Sequence, residues 1–420
     1  MPLTPALSFA AFVFWLLALP MDGPLAAAAG VRNPSLWFLP AHILALVLAG
    51  LMPAAIPLRR LVPAAVPGVL LLTLATGFWP AGAPWLLFLL GICAAPLLLA
   101  AGQSMGGTPN PVRQVVIGLV AGNLALLLLP LSASGNPWFL LAAVLPLLLF
   151  LTQPYPRQPP RELPAEVWRY LPLILIYHLS GGLMYGHLFP AYQQHAVFPG
   201  LELIFYIAAV GIAARVVRIR LETPLLCGFF FAMLAFVLLQ WGPAVNASMY
   251  AMQTGAGFVD FFLLAFLLRR EIPLRAFALG NAFLCLGLFA GGLLGRHLDA
   301  APRGIATAGN LVLYSSLLIL FLAARSTARP VSTEDEKESP PNFTETLKPA
   351  AVTQMPCNIR LLLSERECLV LSYSLTGQTY RETAEKLAIS ESSVKTYMKR
   401  IYEKLEVSGR KELLERLANF

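Results

Sequence analysis

LSERECLVLSYSLTGQTYRETAEKLAISESSVKTYMKRIYEKLEVSGRKELLERLANF, residues 363–420, closes a chain of 420 residues. Its punctuation is that of short helices separated by tight turns. Ser364 stands before Glu365 and Glu367, an N-cap with an acid at the capping-box position. Leu369, Val370, Leu371 and Tyr373 supply the core face of this first helix, and Gly377 ends it. Thr379 caps a second helix, with Glu382 three residues on. Ala384 and Leu387 point inward there, and the small Ala384 lets two helices approach closely. Ile389 packs in the following turn. Ser390 or Ser392 caps a third helix, which is basic. Its core positions are Val394, Met398, Ile401 and Leu405, and its other face carries Lys395, Thr396, Lys399, Arg400 and Lys404.

Helix, turn and basic helix in this order write a helix-turn-helix. The stretch resembles the LuxR-type family at Leu363-Ser364, Arg366-Glu367, Leu371, Gly377, Glu382, Ala384, Leu387, Ile389-Ser390, Val394-Lys395, Ile401-Tyr402, Lys404-Leu405, Val407 and Arg410. The resemblance implies a four-helix module over 357–420 that binds double-stranded DNA. By the same resemblance Lys395, Thr396 and Lys399 match base-reading positions, while Ser393, Tyr397, Arg400 and Lys404 match contacts to the DNA backbone. The last helix, residues 410–420, matches the family's dimerising helix and implies a homodimer on DNA. Its Leu413, Leu414 and Leu417 have helical spacing that serves dimerisation and internal packing equally well. Three positions depart from the family pattern: Tyr397 stands where His is usual, Glu406 where Gly is usual, and Thr383 where Ile is usual.

The rest of the chain is of another kind. Hydrophobic residues make up 57% of the whole and charged residues 12%, against roughly 25% charged in soluble domains. A multi-span membrane domain is the class this composition indicates. The net charge of +8 points at first to nucleic acid, but its distribution does not. Residues 1–325 hold sixteen Arg, no Lys and eight acids, whereas 326–356 is net −2 and 357–420 net +2. The positive excess therefore lies on membrane loops, where it sets topology. Cys93, Cys227 and Cys285 fall in apolar runs, and Cys357 and Cys368 in or beside the tail. None is spaced for a metal, which reads as free thiols in a reducing compartment.

Apolar stretches of spanning length recur twelve times, near 5–20, 36–56, 61–79, 83–101, 114–133, 137–152, 169–189, 198–217, 223–241, 243–268, 274–295 and 304–324. The first could imitate a signal peptide with Ala26–Gly30, but it lacks a basic start and many similar spans follow, so it reads as a membrane helix. Pro63, Pro67, Pro96, Pro146 and Pro172 interrupt several spans. With a cytoplasmic N-terminus, thirteen arginines fall on inside loops (Arg59, Arg60, Arg113, Arg157, Arg161, Arg169, Arg215, Arg218, Arg220, Arg269, Arg270, Arg275 and Arg325) and three outside (Arg32, Arg296 and Arg303). This asymmetry is what the positive-inside rule requires. It predicts both termini in the cytoplasm and the chain in the inner membrane, in contact with membrane lipid. The long Pro-rich loop Gln153–Trp168 divides the spans into six plus six, an arrangement that resembles the major facilitator architecture. That family usually carries a Gly-x-x-x-Asp-Arg signature after its second span. The corresponding segment here, PAAIPLRRLVP, has the arginines but neither the Gly nor the Asp.

Residues 326–356 are polar, acidic and Pro-containing and read as a flexible linker with a span of roughly 30 Å. Within the membrane part, polar groups at bilayer depth are costly and usually face a cavity or one another. Asp260, Glu202 and His178 stand out, with Tyr185 and Gln253 as further ligand-binding candidates, and Asn123, His187, Asn246, Asn281 and Asn310 beside them. Interhelical hydrogen bonding is the alternative use for each. Gly181-Gly182, Gly255–Gly257 and Gly291-Gly292 read as close helix packing, or as hinges. No nucleophile–base pairing, metal spacing or phosphate-cradling loop is visible, so neither an enzyme nor a cofactor is expected. The expectation is an all-α, membrane-embedded one-component regulator that senses an unknown small-molecule effector. The competing expectation is a secondary transporter with a fused regulatory domain.

Overall fold

The computed structural model describes residues 3–327 and 363–413, except 53–55, 130–136, 157–160, 199, 218–219, 242–243, 270–271, 298–301, 376–377, 388, 406, 408 and 410–411. Among these residues all regular structure is helical. The chain divides into two compact units, residues 1–325 and 326–420. The linker beyond residue 327, Gly377, Glu406 and most of 410–420 lie outside the described residues.

In the first unit, helices occupy the twelve expected places. They are α1 (Thr4–Ala18), α3 (Pro34–Leu51), α4 (Leu58–Phe78), α5 (Ala83–Gly106), α6 (Pro111–Leu128), α7 (Pro137–Val144), α8 (Ala165–His195), α9 (Leu201–Val216), α10 (Thr223–Leu239), α11 (Val245–Leu267), α12 (Leu274–His297) and α13 (Pro302–Thr327). Six stretches (α3, α4, Pro80–Gly106, α6, α11 and α12) are by length and composition able to cross a membrane, and shorter apolar helices include α1 and α10. A short helix not foreseen, α2 (Pro24–Ala28), follows α1, with Leu25 and Ala26 buried.

Prolines shape these rods less than the sequence implies. Pro63, Pro67, Pro96 and Pro172 all sit inside continuous helices. Surrounding helices can shelter the backbone groups that a proline frees. Pro146 is different. There α7 gives way to a tighter 3-10 segment, Leu145–Thr152, because the proline ring cannot follow the preceding α-turn.

Helices α1 to α7 and α8 to α13 form two halves. In the first, α1 packs on α6, and α3 and α4 on α5; in the second, α8 packs on α12, and α9 and α10 on α11. The halves meet where α3 lies against α12 and where α6 lies against α9 and α11. Close contact of α8 with α12 depends on glycine: a Cβ on Gly287 would lie 2.6 Å from the Leu175 carbonyl oxygen, and one on Gly291 would overlap that of Leu179. Gly287 and Gly291 thus serve close packing, whereas a Cβ on Gly292 would meet nothing within 4 Å.

The outer surface of this unit suits lipid. Leu71, Phe78, Leu128 and Leu311 are among many large apolar side chains that face outward. Trp37, Trp79, Trp85, Trp138, Trp168 and Trp241 are exposed, and all sit at or next to helix ends, as interfacial tryptophans do. Trp15 alone is fully buried, donating from Nε1 to Thr73 Oγ1 at 3.0 Å.

In the second unit α14 (Glu365–Leu375), α15 (Tyr380–Leu387) and α16 (Glu391–Lys404) enclose a separate core of Leu363, Cys368, Val370, Leu371, Ala384, Val394, Met398, Ile401, Leu405, Val407 and Leu413. One detail of the predicted core shifts. Leu369 and Tyr373 are only half-buried, and Cys368 takes the inward place. At 100° per residue, the face of α14 that carries Leu371 also carries Glu367, Cys368 and Ser374, leaving 369 and 373 on its flanks.

Candidate DNA interface and membrane polar site

The helix starts of the C-terminal module are built from reciprocal local bonds. Ser364 N–H donates to Glu367 Oε2 at 2.7 Å while Glu367 N–H donates to Ser364 Oγ at 3.4 Å. Thr379 and Glu382 repeat the arrangement at 2.8 and 3.3 Å. Both are capping boxes, where the sequence placed them. Ser390, rather than Ser392, caps α16: its Oγ accepts from Ser393 N–H at 3.1 Å. Thr383, an unusual hydroxyl at a buried position, is accommodated because its Oγ1 donates to the Thr379 carbonyl at 2.9 Å.

These caps fix the direction of α16 and hence its outward face. Val394, Met398 and Ile401 are buried, and Lys395, Thr396, Lys399, Arg400 and Lys404 are exposed. Tyr397 is half-buried against the module core. The cations are not equivalent. Lys395 Nζ lies 2.8 Å from Glu391 one turn earlier. The hydrogen bond and charge of that partner raise the Lys395 pKa and hold the Glu391 carboxyl below its usual range. Lys404 Nζ reaches back 2.6 Å to Glu367, whose side chain is only 4% exposed. Burial alone would raise the Glu367 pKa, but Lys404 and the Ser364 amide and hydroxyl together hold it below the ordinary value. Lys399 and Arg400 have no ion-pair partner among the described residues. Ser393 and Thr396 are tied locally, to the Ser390 hydroxyl at 2.8 Å and the Ser392 carbonyl at 2.9 Å. Leu413 is buried in the module core, so it packs internally; Leu414 and Leu417 lie outside the described residues.

In the membrane unit, three of the singled-out residues fall on one face of α11 and its neighbours. Asp260 Oδ1 lies 3.1 Å from His178 Nε2 of α8, and Asp260 Oδ2 accepts from the Tyr206 hydroxyl of α9 at 3.0 Å. His178 Nδ1 faces the Ile174 carbonyl at 2.8 Å. Gln253 lies two turns before Asp260 on α11, and Tyr250 between Asn246 and Gln253 stacks on Phe205 of α9 at 4.6 Å. Glu202, in the first turn of α9, accepts from Tyr192 at 2.6 Å. Tyr185 does not join the Asp260 group. It stacks on Phe189 at 4.6 Å, with Glu202 and Asp22 as its neighbouring charges. The His187 side chain lies outside the described residues. Asn123 and Asn281 bond to carbonyls one turn back in their own helices, at 2.9 and 2.8 Å, and so satisfy themselves locally.

Sequence reading missed Tyr206, which looks like one more aromatic in an apolar run. It also missed His42, buried with Nδ1 2.9 Å from the Gly91 carbonyl. Arg275 was read only as a topology charge, yet it donates to the Gly50 and Leu51 carbonyls at 3.0 and 3.2 Å, capping α3 of the opposite half.

Comparison with known proteins agrees with both units. Residues 361–417 match the family of bacterial regulatory proteins of the luxR family, so the C-terminal module is a LuxR-type DNA-binding domain. No curated protein sequence matches the chain. Among solved structures, the human organic anion transporter MFSD10 (TETRAN) is similar over 76% of this chain and 97% of its own, with a TM-score of 0.55 and 17% identity. The Major Facilitator Superfamily transporter FucP, in the outward conformation, is similar over 76% of this chain and 97% of its own, with a TM-score of 0.51 and 15% identity. The membrane unit therefore has the major facilitator fold, fused to a LuxR-type helix-turn-helix.

Proposed function

We propose that the chain is a membrane-embedded one-component transcriptional regulator. Residues 1–325 sense a small molecule, 326–356 act as a flexible tether, and 357–420 bind promoter DNA, with both termini on the cytoplasmic side of the inner membrane. The observation that carries this reading is the cationic face of α16, Lys395, Thr396, Lys399 and Arg400, borne on the same chain as a membrane unit of transporter fold. In this reading Lys395, Thr396 and Lys399 reach base edges while Ser393, Tyr397 and Arg400 meet the DNA backbone. Lys404 joins them only by sharing Glu367. Since Leu413 is used inside the module, pairing of two copies on DNA falls to Leu414, Leu417 and their neighbours. The effector site is centred on Asp260 and His178, with Gln253 two turns before Asp260 on α11, and with Glu202 and Tyr185 towards the other end of the helices.

A second reading is a secondary transporter with a fused regulatory domain, and the likeness to an organic anion transporter favours it. Against it stand the segment PAAIPLRRLVP, which lacks the family's Gly and Asp, and the scarcity of carboxylates within the spans. Genomic sites bound by the full-length protein decide the first reading. Enrichment at a small set of promoters is expected, and the regulated genes should point to the effector. Uniform background occupancy, together with solute uptake by right-side-out vesicles, would replace the regulator with the transporter.

A further inference from the structure

A hydrogen-bond count at His178 leaves one proton over. Nδ1 lies 2.8 Å from the Ile174 carbonyl oxygen, which can only accept. Nε2 lies 3.1 Å from Asp260 Oδ1, and Oδ2 of the same carboxylate is already occupied by the Tyr206 hydroxyl. A neutral imidazole has one N–H, so it serves one of these contacts and turns a lone pair towards the other oxygen. Both contacts hold together only if a further proton sits between the ring and the carboxylate, on Nε2 or on Oδ1. We propose that His178 and Asp260 form a proton-binding site in the membrane unit, and that occupancy of this site by a proton sets how α8 and α11 are joined.

The surroundings are those of a site that concentrates this effect. His178 is buried, and the Asp260 side chain is one-quarter exposed. Among the described residues, titratable groups beside Asp260 other than His178 include Tyr177 on α8, Tyr206 on α9 and Cys285 on α12. None of them carries a positive charge that could replace the proton. Helix α10 brings Phe229 against Tyr177 and holds no charged residue. The Tyr177 hydroxyl is buried with no hydrogen-bond partner among the described residues, which leaves a polar group beside the pair.

A polar stripe leads to it. Asn246, Tyr250, Gln253, Gly257 and Asp260 recur at alternating steps of four and three along α11, which places them on one helix face. Asn246 marks the far end, donating to the His195 carbonyl at 2.9 Å and accepting from Val197 N–H at 3.4 Å. In the topology proposed above that end is extracytoplasmic, so the proton would report the acidity outside. On deprotonation one of the two His178 contacts must open, either α8 to α11 through Asp260 or the ring to its own helix. The pair also changes from net neutral to net negative.

The inference deepens the regulator reading, but its test does not depend on that reading. Full-length protein reconstituted in lipid nanodiscs, without DNA or effector, is melted at a series of pH values between about 5 and 9. Wild type is expected to show a change of stability that Asp260→Asn and His178→Gln both remove. Tyr206→Phe deletes a hydroxyl bonded to Asp260 and leaves the His178 contact in place, so it should keep the change and move its midpoint. A pH profile of wild type that both pair variants reproduce unchanged overturns the proposal. Should either pair variant fail to fold, Tyr206→Phe decides: an unmoved midpoint overturns the proposal. If the titration is found but a promoter reporter ignores external pH, the proton site stands and its link to promoter output fails.

Discussion

In the C-terminal module the bonds that shape the helices reach three residues along the chain: Ser364 with Glu367, Thr379 with Glu382, Ser390 with Ser393. In the membrane unit the corresponding bonds leap across the sequence. Trp15 reaches Thr73, Gln153 reaches Ser8, His178 reaches Asp260, and Arg275 reaches Gly50 in the opposite half. Water explains the difference. A helix end in water needs only a small barrier to fraying, which a neighbouring Ser, Thr or Glu supplies. A side-chain donor inside a bilayer has no solvent to fall back on and must find a partner one turn back in its own helix, as Asn123 and Asn281 do, or on another helix. The module is therefore largely determined by local bonds, while the membrane unit adds to its local bonds a set that couples distant helices. A signal can travel through couplings of the second kind, and hardly at all through the first.

The sharpest break of this contrast is a substitution that wrecks one unit and spares the other. Gly287→Leu puts a branched side chain where even a Cβ would stand 2.6 Å from the Leu175 carbonyl. Helix α12 would have to leave α8, at a cost of about 3 kcal/mol or more. Full-length protein should be lost from the membrane fraction or aggregate on extraction, while fragment 357–420 made alone keeps its helical circular dichroism. Normal extraction of Gly287→Leu would show that α8 and α12 do not depend on glycine.

Next in size is a long bond within the module. Glu367 closes the first capping box and also receives Lys404 from the far end of α16. Glu367→Ala removes the cap and leaves the Ser364 amide without its partner, so the fragment should lose about 2 kcal/mol in urea unfolding. Lys404→Ala should cost less, because the carboxylate keeps its bonds to Ser364. The acid limb follows from the same groups. Glu367, Glu382 and Glu391 are all held below their usual range in the folded module. Folding therefore favours their ionised forms. Their contribution is complete above the unfolded carboxylate range, about pH 4.3, and is lost as pH falls through and below it. Fragment melting temperatures that stay flat from neutral pH down to about pH 3 would contradict these interactions.

The same physics decides what was legible in the sequence. Ser364, Glu367, Thr379 and Glu382 announce their bonds because both partners lie within one helical turn. The span pattern is likewise a one-dimensional signal, and the helices stand where it puts them. Tyr206 could not be read, because its partner Asp260 lies on another helix 54 residues away. Asp260 was conspicuous as a charge in an apolar run, yet its pairing with His178 became visible only in three dimensions. Tyr185 was grouped with the same site by its depth in the sequence, and its ring stacks instead on Phe189, one turn further along the same helix. Lys404 shows the limit inside the module: helical position put it on the DNA side, and a residue 37 positions earlier holds its ammonium.

Binding should separate the cations of α16 in a way composition does not. Lys399 is exposed and unpaired among the described residues, so Lys399→Ala should lower affinity for a bound promoter about tenfold or more. If the loss is equal on random DNA, Lys399 meets phosphate rather than a base. Lys395 must first give up Glu391, 2.8 Å away, so its net contribution to binding is smaller and Lys395→Ala should cost less affinity than Lys399→Ala.

Glu391 supplies the smallest and most specific test. It opens α16, where a negative charge suits the helix N-terminus, and it neutralises Lys395 on the face proposed to meet DNA. A carboxylate there also repels phosphate directly. Glu391→Gln keeps the size and a hydrogen-bonding end but frees the Lys395 ammonium. The variant fragment should melt slightly lower than wild type and yet bind DNA a few-fold more tightly at low salt. Its affinity should also fall more steeply with salt, since one more cation is available to displace counterions. Fluorescence anisotropy at two salt concentrations reads both effects together. Weaker binding by Glu391→Gln, with a shallower salt dependence, would mean that the carboxylate itself contacts DNA, and the face of α16 that reads bases would have to be redrawn around an acceptor at its first turn.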